Sequence, residues 1–143
     1  IRDDLEGLVG SEMCIRDSAG LAARNPRLIV SDSFGADILQ DKTFNMIWSF
    51  SVLYHLNDDL IAEWFSNVKK RLAQDGRYWA NVNDSINESR WLEFPFVKRK
   101  PEFYEELAAR NGLSLKVLGT IQEMGFTGAG QEKDNLMLEF RHA

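Results

Sequence analysis

The forty residues from Phe44 to Asn83, FNMIWSFSVLYHLNDDLIAEWFSNVKKRLAQDGRYWANVN, constrain the fold more than any other part of the chain. Phe44 to Phe50 is apolar and aromatic almost throughout. That is too continuous for a strand wetted on one face, so it predicts a strand in the middle of a parallel sheet. Asn57 predicts a helix cap, with Asp58 and Asp59 at the positive N-terminal end of a helix running to Ala73. Leu60, Ile61, Trp64, Phe65, Val68 and Leu72 recur at helical spacing and give it one apolar face. Lys69, Lys70 and Arg71 fill the last turn, Gly76 is expected to close the connection, and Arg77 to Val82 to form the next strand. Strand, helix and strand at this length predict a right-handed crossover between parallel strands.

Around this block the pattern is less regular. Arg27 to Ser31 reads as a short strand with Asp32 at its tip, and Ala36 to Gln40 as a link of one helical turn. Asp84 to Lys100, with Trp91, Phe94, Pro95 and Phe96, is expected to be irregular. Pro101 opens a helix that Asn111-Gly112 closes. Leu113 to Gly119 and Asn135 to Arg141 read as strands, separated by a loop from Thr120 to Lys133 that contains Gly128-Ala129-Gly130.

The Phe44–Asn83 block resembles the middle of the class I S-adenosylmethionine-dependent methyltransferases. The matching residues are Phe44, Ser49, Ser51, Val52, Leu53, His55, Leu56, Leu72 and Gly76; Asn45 stands where the family usually has Asp. The resemblance runs from Asn25 to about Phe140. It implies an α/β, Rossmann-like three-layer sandwich with a mostly parallel sheet, an antiparallel C-terminal hairpin and strand order 3-2-1-4-5-7-6. It also implies S-adenosyl-L-methionine as cofactor.

A complete domain of that family has two earlier strands, the first followed by a Gly-rich loop and the second ending in an acidic residue. Neither element precedes Asn25, so the domain is expected to be truncated, without strands 1 and 2. The Phe44 strand would then be an exposed apolar edge. Arg27 to Ser31 would slide in beside it or pack poorly. The stretch LVGSEMCIRDS, Leu8 to Ser18, resembles a translated transposase-adapter sequence from sequencing libraries. Residues 1–18 are therefore expected to be non-native, as in an assembled environmental sequence, and residues 19–143 to be the partial methyltransferase domain.

Composition narrows the function. The 143 residues fit one domain, and 44% hydrophobic content supports a core. Of the formal charge of -5, residues 1–18 contribute five acids and two bases, leaving 17 acids against 15 bases. Such a surface does not suggest nucleic-acid binding. The single Cys14 excludes disulfides within the chain and Cys-based zinc sites. No apolar run reaches the roughly 18 residues of a membrane span. A cytoplasmic location and a small-molecule acceptor are expected.

Methyl transfer from a sulfonium needs alignment of the acceptor and exclusion of water; a base helps only where a proton must leave. By resemblance, Asp32 would bind the adenine amino group, with Ser33 and Phe34 offering a backbone N–H and an apolar wall. Ser49, Phe50 and Ser51 would line the methionine end of the cofactor, at the carboxyl edge where open α/β sheets bind ligands. His55 reads either as a proton acceptor near the methyl group or, the preferred reading, as a structural His holding the bend after the strand. His55 with Asp58 and Asp59 is not taken as a metal site, because acids are natural at a helix start. Asn83, Asp84, Trp91 and Phe94 fall on the acceptor side. Arg90, Lys98, Arg99 and Lys100 either attract an anionic acceptor or form a solvated basic run.

Three functions compete. The first is part of a methyltransferase with impaired cofactor binding. The second is a non-catalytic methyltransferase-like partner module docking through the Phe44 edge. The third is a nucleotide-dependent oxidoreductase, opposed by Asp58 standing where a Y-x-x-x-K motif beginning at Tyr54 needs Lys.

Overall fold

The computed structural model of the chain describes residues 36–39, 41–91, 94–126 and 135–143. The chain divides into two compact units, Ile1–Ile38 and Leu39–Ala143. The first unit's described residues are the opening of a one-turn helix, α1 (Ala36–Leu39). All other described elements lie in the second unit. Arg27–Ser31, Asp32, Ser33, Phe34, residues 1–18 and Gly128–Gly130 lie outside the described residues.

The second unit begins with strand β1 (Phe44–Ser49), a 3-10 turn (Leu53–His55), helix α2 (Asp58–Arg71) and strand β2 (Leu72–Asn83). A hairpin follows, β3 (Asn87–Trp91) and β4 (Phe94–Lys98), then α3 (Pro101–Arg110), β5 (Leu113–Thr120) and β6 (Asn135–His142). The main sheet has the order β1-β2-β6-β5. β1 and β2 are parallel, with Trp48 opposite Trp79. β6 runs antiparallel to both β2 and β5. The parallel crossover and the antiparallel closing hairpin are both as expected from the sequence. The order is the 4-5-7-6 half of the sheet that the resemblance implied.

Alternation along β2 divides the sheet into two faces. Tyr78, Ala80 and Val82 point into the main core with Leu138 and Phe140 of β6. Ile61, Phe65 and Val68 of α2 and Tyr104 and Ala108 of α3 close that core from one side. Asn57 caps α2, its Oδ1 accepting from the Leu60 N–H at 2.9 Å. Pro101 occupies the first turn of α3, and Gly112 ends that helix at φ 64°, a conformation costly for a side chain with a Cβ.

Four expectations are corrected. Among the described residues β1 is the outer strand, not a middle one, and its open face leaves Met46 60% and Trp48 46% exposed. Its apolar run is therefore half wetted. α2 ends at Arg71, because Leu72 already pairs with Phe44 and starts β2. Gly76 lies inside β2 and does not close the connection. A Cβ there would stand 2.9 Å from the carbonyl oxygens of Phe44 and Ala73, beside a register shift between Phe44 and Met46. Close backbone approach, not a helix stop, is what requires glycine. Finally, Asp84–Lys100 is not irregular. It holds the β3–β4 ribbon, in which Arg90 faces Pro95 and Ser89 faces Phe96. Pro95 disguised the strand, but a two-stranded ribbon has outward N–H positions where proline loses no ladder bond.

Candidate functional site

The carboxyl ends of β1 and β2 meet the first residue of β6 at one edge of the sheet. There β1 ends on buried Ser49, and Ser51 takes φ 60°, the left-handed region. For a residue with a Cβ this costs roughly 1–2 kcal/mol. The strain is held by Asn81 of β2, whose Oδ1 accepts the Ser51 N–H at 2.5 Å. Asn81 is fully buried, and its Nδ2 donates to Asn135 Oδ1 at 3.1 Å. The Asn135 carbonyl in turn accepts the Ile121 N–H, at the start of the turn that follows β5. From the end of that turn, the Phe126 ring stacks on Phe50, centroids 5.4 Å apart and planes 22° from parallel. Strained non-glycine backbone over-determined by buried polar groups is characteristic of functional edges.

The predicted site residues divide between this edge and its surroundings. Phe50 and Ser51 lie on it, and Asn83 ends β2 beside Asn135, its partner in the ladder, with exposed Asp84 next. Ser49 is turned into the core: its Oγ lies 2.7 Å from the Tyr78 hydroxyl, which also accepts from Trp64 Nε1 at 2.8 Å. Burial pushes the Tyr78 phenol well above the ordinary tyrosine range, against the downward pull of those two hydrogen bonds. Asp32, Ser33 and Phe34 lie outside the described residues. Trp91 and Phe94 are the ladder partners at the end of the β3–β4 ribbon where residues 92–93 connect its two strands.

His55 sits in the 3-10 turn after Ser51 and donates from Nδ1 to the Pro95 carbonyl at 2.9 Å. Its ring meets Tyr54 and Phe96 at 4.7 and 5.6 Å between centroids. It joins the turn to the hairpin, which is what a His holding the bend does. Nδ1 must carry the proton of that hydrogen bond, since a carbonyl only accepts.

Arg99 is not solvated, one of the two readings open to the basic run. It is 8% exposed, with Nη2 2.7 Å from Asp58 Oδ1 and 3.0 Å from the Leu56 carbonyl. Nη1 reaches the Val97 carbonyl at 3.3 Å, and the guanidinium lies over the Phe103 ring at 5.1 Å. A cavity of about 660 Å³ opens beside it, between the first turns of α2 and α3 and the hairpin. Asp58, Asp59 and Glu88 oppose Lys98, Arg99 and Lys100 on its walls, so its lining has no net sign.

On the sheet face away from α2 and α3, Glu139 is buried. It accepts from Trp79 Nε1 at 2.8 Å and from Arg141 Nε at 2.8 Å. Burial alone would raise its carboxyl. Those hydrogen bonds, with the charges of Arg141 and Arg77, instead hold it below the usual carboxylate range. These contacts tie the carboxylate to β2 and to its own strand, β6.

No protein-family model and no curated protein sequence matches the chain. Solved structures do. The mitomycin 7-O-methyltransferase MmcR superposes with TM-score 0.64 at 18% identity, over 90% of this chain and 37% of that one. A TehB-like SAM-dependent methyltransferase from Corynebacterium glutamicum superposes with TM-score 0.58 at 19% identity, over 82% and 56%. The fold is the class I methyltransferase fold. It also serves a pericyclic reaction enzyme, at TM-score 0.52 and 18% identity, over 71% of this chain and 27% of that one. The chain thus spans about half or less of the length of these proteins.

Within the methyltransferase fold, the Ser51–Asn81–Asn135 edge is the carboxyl edge at which open α/β sheets bind ligands. The sequence pointed to Phe50 and Ser51 at this edge but not to Asn81, Asn135 and Phe126. One signal was available: Asn81 and Asn83 alternate with Ala80 and Val82 in a strand expected to be buried, and buried amides need partners. Among the described residues no helix is long and apolar enough to cross a membrane.

Proposed function

We propose that the chain is part of an S-adenosylmethionine-dependent methyltransferase acting on a small-molecule acceptor, and that alone it binds its cofactor weakly. On this reading residues 1–18 are non-native, residues 19–143 are a partial methyltransferase domain, and the protein is cytoplasmic. The observation that carries the reading is the strained Ser51 tip, tethered by a buried amide, at the carboxyl edge of a methyltransferase fold. The donor set fits such a cofactor: the edge offers the apolar Phe50 and Phe126 rings beside backbone polar groups.

Phe50 and Ser51 would hold the methionine end of the cofactor, and Asp32, Ser33 and Phe34 the adenosine. When bound, the cofactor supplies an electrophilic methyl group. Phe50 and Phe126 exclude water from that end, and Asn83, Asp84, Trp91 and Phe94 hold the acceptor. His55, with Nδ1 already donating to Pro95, orients the turn rather than taking a proton at that atom.

An NMR titration of the 143-residue chain with S-adenosylhomocysteine tests this. The expected result is a shift of the Phe50, Ser51 and Asn81 amide signals at millimolar ligand, with NADH giving none. No response to S-adenosylhomocysteine would refute the cofactor reading for this chain. A second reading, a non-catalytic partner module, draws support from the exposed Met46 and Trp48 on the outer strand. It expects no shift with either ligand.

A further inference from the structure

We propose that Asn81 is a positioning residue: it sets the conformation of the β1 tip that meets the ligand and couples that tip to the turn carrying Phe126. The inference rests on the cofactor reading above and goes beyond it in giving the Asn81 side chain a role. The Asn81 side chain, on β2, links the ends of β1 and β6. Its carbonyl oxygen takes the Ser51 N–H from β1, and its amide nitrogen reaches Asn135 at the start of β6. Asn135 holds the base of the following turn through Ile121, and Phe126 leads that turn back to Phe50. The path is a closed ring of contacts around the carboxyl edge.

The chemistry explains why this residue is an amide. The position is fully buried on a strand whose neighbours Ala80 and Val82 are apolar and equally enclosed. An apolar residue there would avoid the desolvation of an amide altogether. Asn is the short side chain with both an acceptor and a donor, and both are used across different strands. Its acceptor goes to the N–H of the one non-glycine residue at positive φ among those described. Without that tether Ser51 is free to return to an ordinary extended or helical conformation, which would redirect the chain between Phe50 and the 3-10 turn.

The test compares Asn81→Leu, which loses the acceptor, with Asn81→Asp, which keeps an acceptor of the same shape. Amide hydrogen exchange at Ser51 is measured first, without ligand. The expected result is exchange about tenfold faster in Asn81→Leu, the size of a lost local interaction of about 1.4 kcal/mol, with Asn81→Asp close to the parent. S-adenosylhomocysteine is then added. The shifts at Phe50 and Ser51 should weaken about tenfold in Asn81→Leu and return in Asn81→Asp, which a role in general stability alone would not produce. Where Asn81→Leu fails to fold, Asn81→Ser, too short to reach the Ser51 N–H, takes its place. Unchanged Ser51 exchange in the acceptor-less variant, or ligand shifts that ignore it, overturns the proposal. If the parent chain ignores S-adenosylhomocysteine, the cofactor reading fails, while Ser51 exchange still decides whether Asn81 fixes the tip.

Discussion

Arg99, just after the hairpin, is clamped onto Asp58 in the first turn of α2, with Nη2 2.7 Å from Oδ1, although only the cation is buried: the Asp58 side chain is 76% exposed. The asymmetry means that the pair is not a buried salt bridge in energetic terms. An exposed carboxylate gains little from its partner, whereas Arg99 also holds the Leu56 and Val97 carbonyls and packs on Phe103.

Removal of the two partners should therefore be unequal. Asp58→Ala should cost about 1–2 kcal/mol, because the buried Arg99 loses the acceptor of its Nε and Nη2. Arg99→Leu should cost about 2–4 kcal/mol, because it leaves carbonyls unpartnered at the base of the hairpin. Arg99→Lys should recover little, since an ammonium cannot reproduce the planar fork. Urea unfolding of the three variants checks this, and equal losses for Asp58→Ala and Arg99→Leu would contradict it.

Stability should fall steeply above pH 10. Burial pushes Tyr104 up to about 12 despite the lowering influence of Arg99, and Tyr78 rises further. Both phenols stay protonated in the fold while the unfolded chain ionises from pH 10. Their contribution is thus fully present below pH 10 and is lost as pH rises towards 12 and beyond. Denaturation midpoints from pH 8 to 12, followed with tyrosinate absorbance, should show a plateau and then a decline. Tyr78→Phe should flatten that decline and cost about 1–2 kcal/mol at neutral pH, by leaving Trp64 Nε1 and Ser49 Oγ short of a partner. A decline of the same slope in Tyr78→Phe would rule the assignment out.

Gly76→Ala should destabilise by about 1–3 kcal/mol, because a methyl group there meets two backbone carbonyls that cannot move independently of β1 and the α2–β2 junction. A thermal melt suffices as the measurement. An unchanged midpoint would mean that the β1–β2 register shift relaxes freely.

Ser51→Gly should be neutral or stabilising by up to about 1 kcal/mol. It removes roughly 1–2 kcal/mol of left-handed strain and adds roughly 0.5–1 kcal/mol of chain entropy. Ser51→Val should cost more than either, since a β-branched residue at positive φ is a true outlier. Chemical denaturation of the pair checks the order, and a less stable Ser51→Gly beside a tolerated Ser51→Val would reverse the argument.

What could be read from the sequence was local. The Asn57 cap is three residues from the N–H it serves, and Pro101 and Gly112 mark α3 through their own backbone preferences. The strands of the Phe44–Asn83 block follow from continuous apolar runs and one amphipathic helix. What stayed hidden joins distant positions: Asn81 meets Ser51 across 30 residues and Asn135 across 54, and Arg99 meets Asp58 across 41. No periodicity encodes such pairs. The hairpin was missed for a different reason, because Pro95 and the charges of Glu88 and Arg90 carry the composition of a loop while the backbone pairs as a ribbon. Ser49 shows the converse error: its place at a strand end suggested a ligand contact, yet its hydroxyl is committed to Tyr78.

The half-exposed Trp48 meets Trp79 edge to face, with ring centroids 6.1 Å apart, while Trp64 is fixed by its hydrogen bond to Tyr78 under α2. The protein therefore carries its own optical contrast. Acrylamide should quench the water-facing indole of Trp48 well before that of Trp64, and red-edge excitation should select it. Anything that comes to rest on the open side of β1 should turn that emission towards the blue, so occupancy there becomes visible as colour without any attached dye.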